Sequence, residues 1–319
     1  MALPKFNFTL PVLQMVSGSA AKVHKIAPNA SAFRAAIDMI KGRLNSLVVS
    51  GPEGMAGILT ERDFLKLPME KGHSRKTSVA DIMTPAAAVT TVPSSYTVQK
   101  CVSTMRSIKV RHLPIVEKGE VKAVLSMQDV SQQIAKTMSQ QQHWPAGEDP
   151  STLTVGDLLD DPNINTPTLG DIQMSSKASV ADAVERMREM KSGSLLVRIP
   201  GVFMPYSNQF GIFTERDLVY SVAPYDEESP HDIKLEEVSR FTSGTSKAMM
   251  QAIVENPSLA STYRPTSVTC VQRTTKVRDC LSLMLGNGLL YVPVTENKQP
   301  INIISMRDIN HFLAPETGV

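Results

Sequence analysis

The 319-residue chain sets 33 basic against 31 acidic side chains, a formal charge of +2, with 42% hydrophobic and 20% charged residues. This near-neutral balance lacks the positive field of a sequence-independent nucleic-acid binder, and no apolar run approaches the ~18 to 20 residues of a membrane-spanning helix. The length suits about two domains, each able to bury its own core, and three cysteines without a Cys-x-x-Cys pair fit a reducing, cytoplasmic setting.

Residues 1–17 read as an N-terminal extension, a poor targeting segment because its only charge is Lys5 and Pro11 interrupts its apolar part. Within 18–67, Phe33, Ala36, Ile37 and Ile40 recur at i, i+3, i+4, i+7 spacing and predict one buried face of a helix. A β-branched run over 47–49, the turn Gly51-Pro52-Glu53-Gly54 and a second strand follow, and the segment closes on GILTERD at 57–63.

The same order returns over 77–138, with the stripe Val98, Cys101, Val102, Met105, a strand at 113–116 and VLSMQD at 124–129. Residues 139–151, with three glutamines, Pro145, Gly147 and Pro150, read as a linker. A third copy over 152–223 has the stripe Val180, Ala183, Val184, Met187 and the string GIFTERD at 211–217. Residues 224–264 are a connecting insertion with a helix expected at 247–255. The fourth copy, 265–319, has Val277, Cys280, Leu281, Met284 and IISMRD at 303–308. From first stripe residue to motif hydroxyl the distances are 27, 28, 34 and 28 residues; the third copy's excess falls in a loop at 200–208.

The fold class is therefore α/β (α+β): four β-α-β-β-α repeats in two tandem pairs, small mixed sheets packed against helices. Asp81-Ile82-Met83-Thr84-Pro85, the looser Val155-Gly156-Asp157-Leu158-Leu159, the strand Arg111-His112-Leu113-Pro114-Ile115-Val116 and the two TERD strings together resemble cystathionine-β-synthase (CBS) domains, whose tandem pairs form Bateman modules. The resemblance spans about 20–313, and four such motifs in one chain resemble the organisation of the gamma subunit of AMP-activated protein kinase. It implies a non-catalytic regulator holding AMP, ADP, ATP or another adenosyl ligand in clefts between paired motifs. The nucleotide would come with or without Mg2+ and act as a regulatory ligand, not a catalytic cofactor.

On that reading an Asp in a helix's first turn accepts from both ribose hydroxyls, a role that falls to Asp63, Asp129, Asp217 and Asp308. Thr60, Ser126, Thr214 and Ser305, with the helix amides, face phosphate, and Arg62, Arg216 and Arg307 add charge; Gln128 departs from the pattern. The base would lie by the leading strand and first core strand. There Thr90 and Thr269 favour copies two and four, with Val110, Arg111, His112 and Leu289 beside them, against Lys25 and Ile172 in copies one and three.

A purely structural reading stands beside this one, since Thr-x-x-Asp and Ser-x-x-Asp also cap helices without any ligand. Cys101 and Cys280 occupy buried helical slots, His112 can be an ordinary half-buried histidine, and no phosphate-binding glycine loop, nucleophile elbow or metal pattern appears. The expectation is a sensor that signals to a regulated partner or within a homodimer, with a ligand-free scaffold and an unrecognised enzyme as alternatives.

Overall fold

The computed structural model describes residues 9–16, 23–52, 54–140, 149–199, 210–222, 229–241 and 268–313. The expected loop at 200–208 and helix at 247–255 lie outside them, as does most of the 224–264 insertion.

In all four copies a short leading strand runs parallel to the first core strand, which pairs antiparallel with the second. A helix fills each crossover: Ala32–Gly42, Val98–Ser107, Val180–Met190 and Val277–Asn287. Ser31, Thr97 and Ser179 cap the first three through their side-chain oxygens. The hairpins of copies two and four turn on Lys118-Gly119 and Asn297-Lys298, with positive φ at both positions, as a two-residue turn between twisted strands requires.

Three of the four stripes are buried as expected. In copy one the face is turned by one position. Ala32, Ala35, Ala36 and Met39 are fully buried, while Phe33 is half-buried beneath the Arg75 guanidinium, 3.8 Å from its ring centroid. Counted from Ala32, the distance to Thr60 is 28 residues, the spacing of copies two and four.

Short lead-in helices precede the copies, and they are exchanged. Val12–Met15, ahead of copy one, hydrogen-bonds at the start of copy two's helix (Val98 N to Leu10 O, 2.9 Å), whereas Val79–Ile82, ahead of copy two, does so in copy one (Ala32 N to Thr77 O, 2.9 Å). Val155–Leu159 and Leu235–Val238 make the same trade between copies four and three. The described part of the N-terminal extension is thus a core element: Val12 and Val16 are fully buried against copy two.

The expectation that each half buries its own core is corrected. One apolar core joins the helices of copies one and three, a second joins those of copies two and four, and a small third cluster holds the sheets of copies three and four together. Copy two's closing helix, Met127–Gln140, ends where the expected linker begins. Each helix's apolar stripe lies in a core shared with the core strands of its own copy and the lead-in helix it borrows, and the closing elements of the other half complete that core.

Candidate functional site

Every motif hydroxyl faces its aspartate in the same local geometry. Asp63, Asp129, Asp217 and Asp308 each accept, through Oδ2, the backbone N–H and the side-chain hydroxyl of the residue three before, at 2.6–2.8 Å. These helix starts are closed by their own side chains, and what distinguishes the four is the surroundings of the other carboxylate oxygen. Asp63 Oδ1 accepts from Lys66 Nζ at 2.7 Å and from the Thr84 hydroxyl at 3.2 Å. Asp217 is fully buried. Among the described residues, Asp308 Oδ1 has only the looser contact with Arg307 Nε, at 3.9 Å.

Asp308 opens into a cavity of about 610 Å3 to which all four copies contribute. Copy three supplies Thr166, Thr168, Asp171 and Ile172 from its leading segment and Lys191 to Ser194 from the turn after its helix. Copy four brings Tyr291, Ile303, Ser305, Arg307 and Asp308; copy two brings Lys109, Arg111, His112, Ser126 and Gln128; copy one adds Asn45, Glu61 and Arg62. Five cationic side chains thus face three carboxylates, a balance that favours an anionic occupant. Asp308 holds its proton more tightly than an ordinary aspartate because of burial, which the Ser305 hydrogen bonds and Arg307 only partly offset.

Beneath the cavity the two TERD strings exchange ion pairs. Arg62 Nε donates to Glu215 Oε1 and Arg216 Nε to Glu61 Oε1, both at 2.7 Å. Glu215 has a further partner, since Arg111 Nη2 donates to its Oε2 at 2.5 Å while Arg111 Nη1 donates to the Tyr291 hydroxyl at 2.6 Å. This packing depends on Gly193: a Cβ there would lie 1.8 Å from the Tyr291 oxygen. The mirror-related glutamates consequently differ. Burial raises Glu61, and its Arg216 partner does not compensate, whereas in Glu215 the pull of Arg111 and Arg62 outweighs burial and holds the carboxyl below its usual range. Burial, reinforced by the adjacent Arg111, pushes His112 down to about 3, a neutral imidazole whose buried Nε2 has no hydrogen-bond partner among the described residues.

Of the expected contacts, Arg62, Arg111, His112, Ser126, Ser305, Arg307 and Asp308 converge on this cavity, while Thr60, Asp63, Asp129, Thr214, Arg216 and Asp217 do not line it. Arg216 is drawn to Glu61 and to the Gly288 carbonyl. Thr90 is exposed, Thr269 half-buried, and Val110 and Leu289 pack against the core of copies two and four; none lines the cavity. Ile172 does, together with Thr166 and Thr168, which lie upstream of the position aligned with Thr90. The usable sequence signal was the dipeptide Thr-Pro, present at Thr84-Pro85 and again at Thr166-Pro167. Each pair folds back beside a second core strand, Thr84 onto Asp63 and Thr166 onto the Asn302 amide at 3.1 Å.

Cys101 and Cys280 are buried thiols pushed up to about 11 and about 12 by burial, as their helical slots suggest. Among the described residues no cluster of three or more His, Cys, Asp or Glu side chains suits a metal ion, and no helix is long and apolar enough to cross a membrane.

The sequence model described as "CBS domain" matches residues 19–70, 79–136 and 263–315, about half of the chain. The third copy, outside those matches, repeats their strand-helix-strand-strand order. A curated relative, the mitochondrial CBS domain-containing protein CBSX3 of Arabidopsis thaliana, is 32% identical over 102 residues, which are 31% of this chain and 50% of that protein. The chain therefore spans about half the length of the curated relative it matches. Among solved structures, protein MJ1225 of Methanocaldococcus jannaschii, described as a candidate archaeal homologue of γ-AMPK, aligns over 96% of this chain and all of its own, with TM-score 0.67 and 15% identity. A conserved protein from Pyrococcus horikoshii aligns over 92% of this chain and 96% of its own, with TM-score 0.50 and 12% identity. At such identities the two structures establish the shared fold.

Proposed function

Because the chain belongs to the CBS-domain family, we propose that it is a non-catalytic regulatory protein whose cavity at Asp308 holds an adenine nucleotide, AMP, ADP or ATP. The observation that carries this reading is the meeting, in one cavity, of a carboxylate with a loosely held oxygen and five cationic side chains. The ribose hydroxyls donate to Asp308, the base lies against Thr166, Thr168 and Ile172, and the phosphates face Arg62, Arg111 and Arg307. Any Mg2+ would arrive on the phosphates. Since the cavity wall includes all four copies, a ligand there binds one arrangement of the copies better than another and shifts its population, which a partner protein or a second copy of the chain reads.

Calorimetry with AMP, ADP and ATP tests it. Asp308→Asn should weaken binding by about ten- to a hundredfold, the worth of a charge-assisted hydrogen bond or two, while Asp217→Asn should leave affinity unchanged. Equal losses from both variants would defeat the assignment. For copies one and three the structural reading is favoured instead: Asp63 has both oxygens engaged by protein groups and Asp217 is fully buried.

A further inference from the structure

The ion-pair cluster under the cavity carries an inference about what the cavity selects. Arg62 and Arg111 both line it, with 37% and 16% of their side chains exposed, yet both are hydrogen-bonded to one carboxylate, Glu215, whose side chain is 0% exposed. Glu215 has no contact with solvent, and besides the two guanidinium groups its carboxylate has the Tyr291 hydroxyl 3.5 Å from Oε2. A ligand anion that draws the two guanidinium groups toward itself leaves that carboxylate buried with weakened partners, which is costly. The cost is the same for every ligand, whereas the return grows with the charge brought in.

We propose that Glu215 is the specificity-determining residue of the cavity: it is an internal anion with which a ligand's phosphates compete for Arg62 and Arg111, so that ligands are ranked by their number of phosphate charges. The inference rests on the cavity being the ligand site, as proposed above, but not on the ligand being a nucleoside.

The test is calorimetry on the full chain, wild type and Glu215→Gln, with inorganic phosphate, pyrophosphate and tripolyphosphate, and in parallel with adenosine and ATP. Removing the competing charge should tighten tripolyphosphate and ATP by about tenfold, with a smaller gain for phosphate and none for adenosine. Tyr291→Phe frees one Arg111 donor at the cost of the long 3.5 Å contact to Glu215 and leaves the carboxylate's charge in place; it should give a gain of about threefold in the same order, and it decides the matter should Glu215→Gln fail to fold. Glu215→Asp, which keeps the charge, should stay near wild type. A gain that is absent, or equal for adenosine and ATP, overturns the proposal, as does failure of every phosphate to bind. Should the inorganic series follow expectation while adenosine binds no variant and ATP binds no better than tripolyphosphate, the nucleotide reading falls and charge selection by Glu215 stands.

Discussion

Copies one and three share a core, as do copies two and four, and the two pairings solve the same backbone geometry with opposite chemistry. In the first pairing the residue after the motif hydroxyl is glutamate, Glu61 or Glu215, buried and bound to an arginine of the other copy. In the second it is methionine, Met127 or Met306, buried in the apolar core. There the cross-copy polar contact moves one turn along the helix, where Asn310 accepts from the Ser131 hydroxyl at 2.8 Å and donates to the Met127 carbonyl at 2.9 Å. One side chain at a repeated position thus decides whether the contact between copies is charged. Where it is, both aspartates are sealed; where it is not, Asp308 keeps an open face.

The sharpest way to break that contrast is to exchange the chemistry. Met306→Glu puts a carboxylate opposite Gln128, which cannot neutralise it, and should cost about 4 kcal/mol or more in urea unfolding. Met127→Glu has Arg307 in the mirror-related place and should cost clearly less; equal costs would show that the cross-copy pairing of arginine and glutamate is not general. Next in size, Glu215→Gln leaves Arg111 without its carboxylate and should lose about 3 kcal/mol, whereas Glu61→Gln, whose burial is poorly compensated, should lose about 1 kcal/mol.

The pH dependence sharpens the same pair. The folded state holds Glu215 below its ordinary range, so its contribution is present above that range and disappears as pH falls through the lowered value. Glu61 is held above it, so its favourable share is present at low pH and is lost as pH rises through the raised value. Relative to wild type, Glu215→Gln should therefore lose stability as pH rises up to the ordinary glutamate value of about 4.3, and Glu61→Gln gain it as pH rises beyond that value. Parallel slopes would contradict the assignment. Smallest of all, Lys66→Ala removes a half-exposed ion pair from Asp63 and should change stability by less than about 1 kcal/mol, with nucleotide affinity untouched.

The repeat, three helical faces and the core strands were legible in the sequence because periodicity and a seven-residue string are local signals. Copy one misled because its buried face begins on alanines, which carry little hydrophobic weight beside Phe33. Val12 opens and Val16 caps a helix of one turn, too short for any period to show. The aspartates and hydroxyls were found, but their separation into sealed and open was not, since Lys66 and Thr84 reach Asp63 from outside the motif. Nor do the glutamates of TERD announce their partners, which lie 153 and 155 residues away.

The traded lead-in helices have a consequence for how the molecule comes apart. Copy one needs copy two's lead-in to begin its helix, copy two needs copy four to cover its own, copy four borrows from copy three, and copy three leans back on copy one. The dependencies close into a ring with no free end, so no quarter or half can peel away while the rest stays whole, and heat should melt all four together in one step.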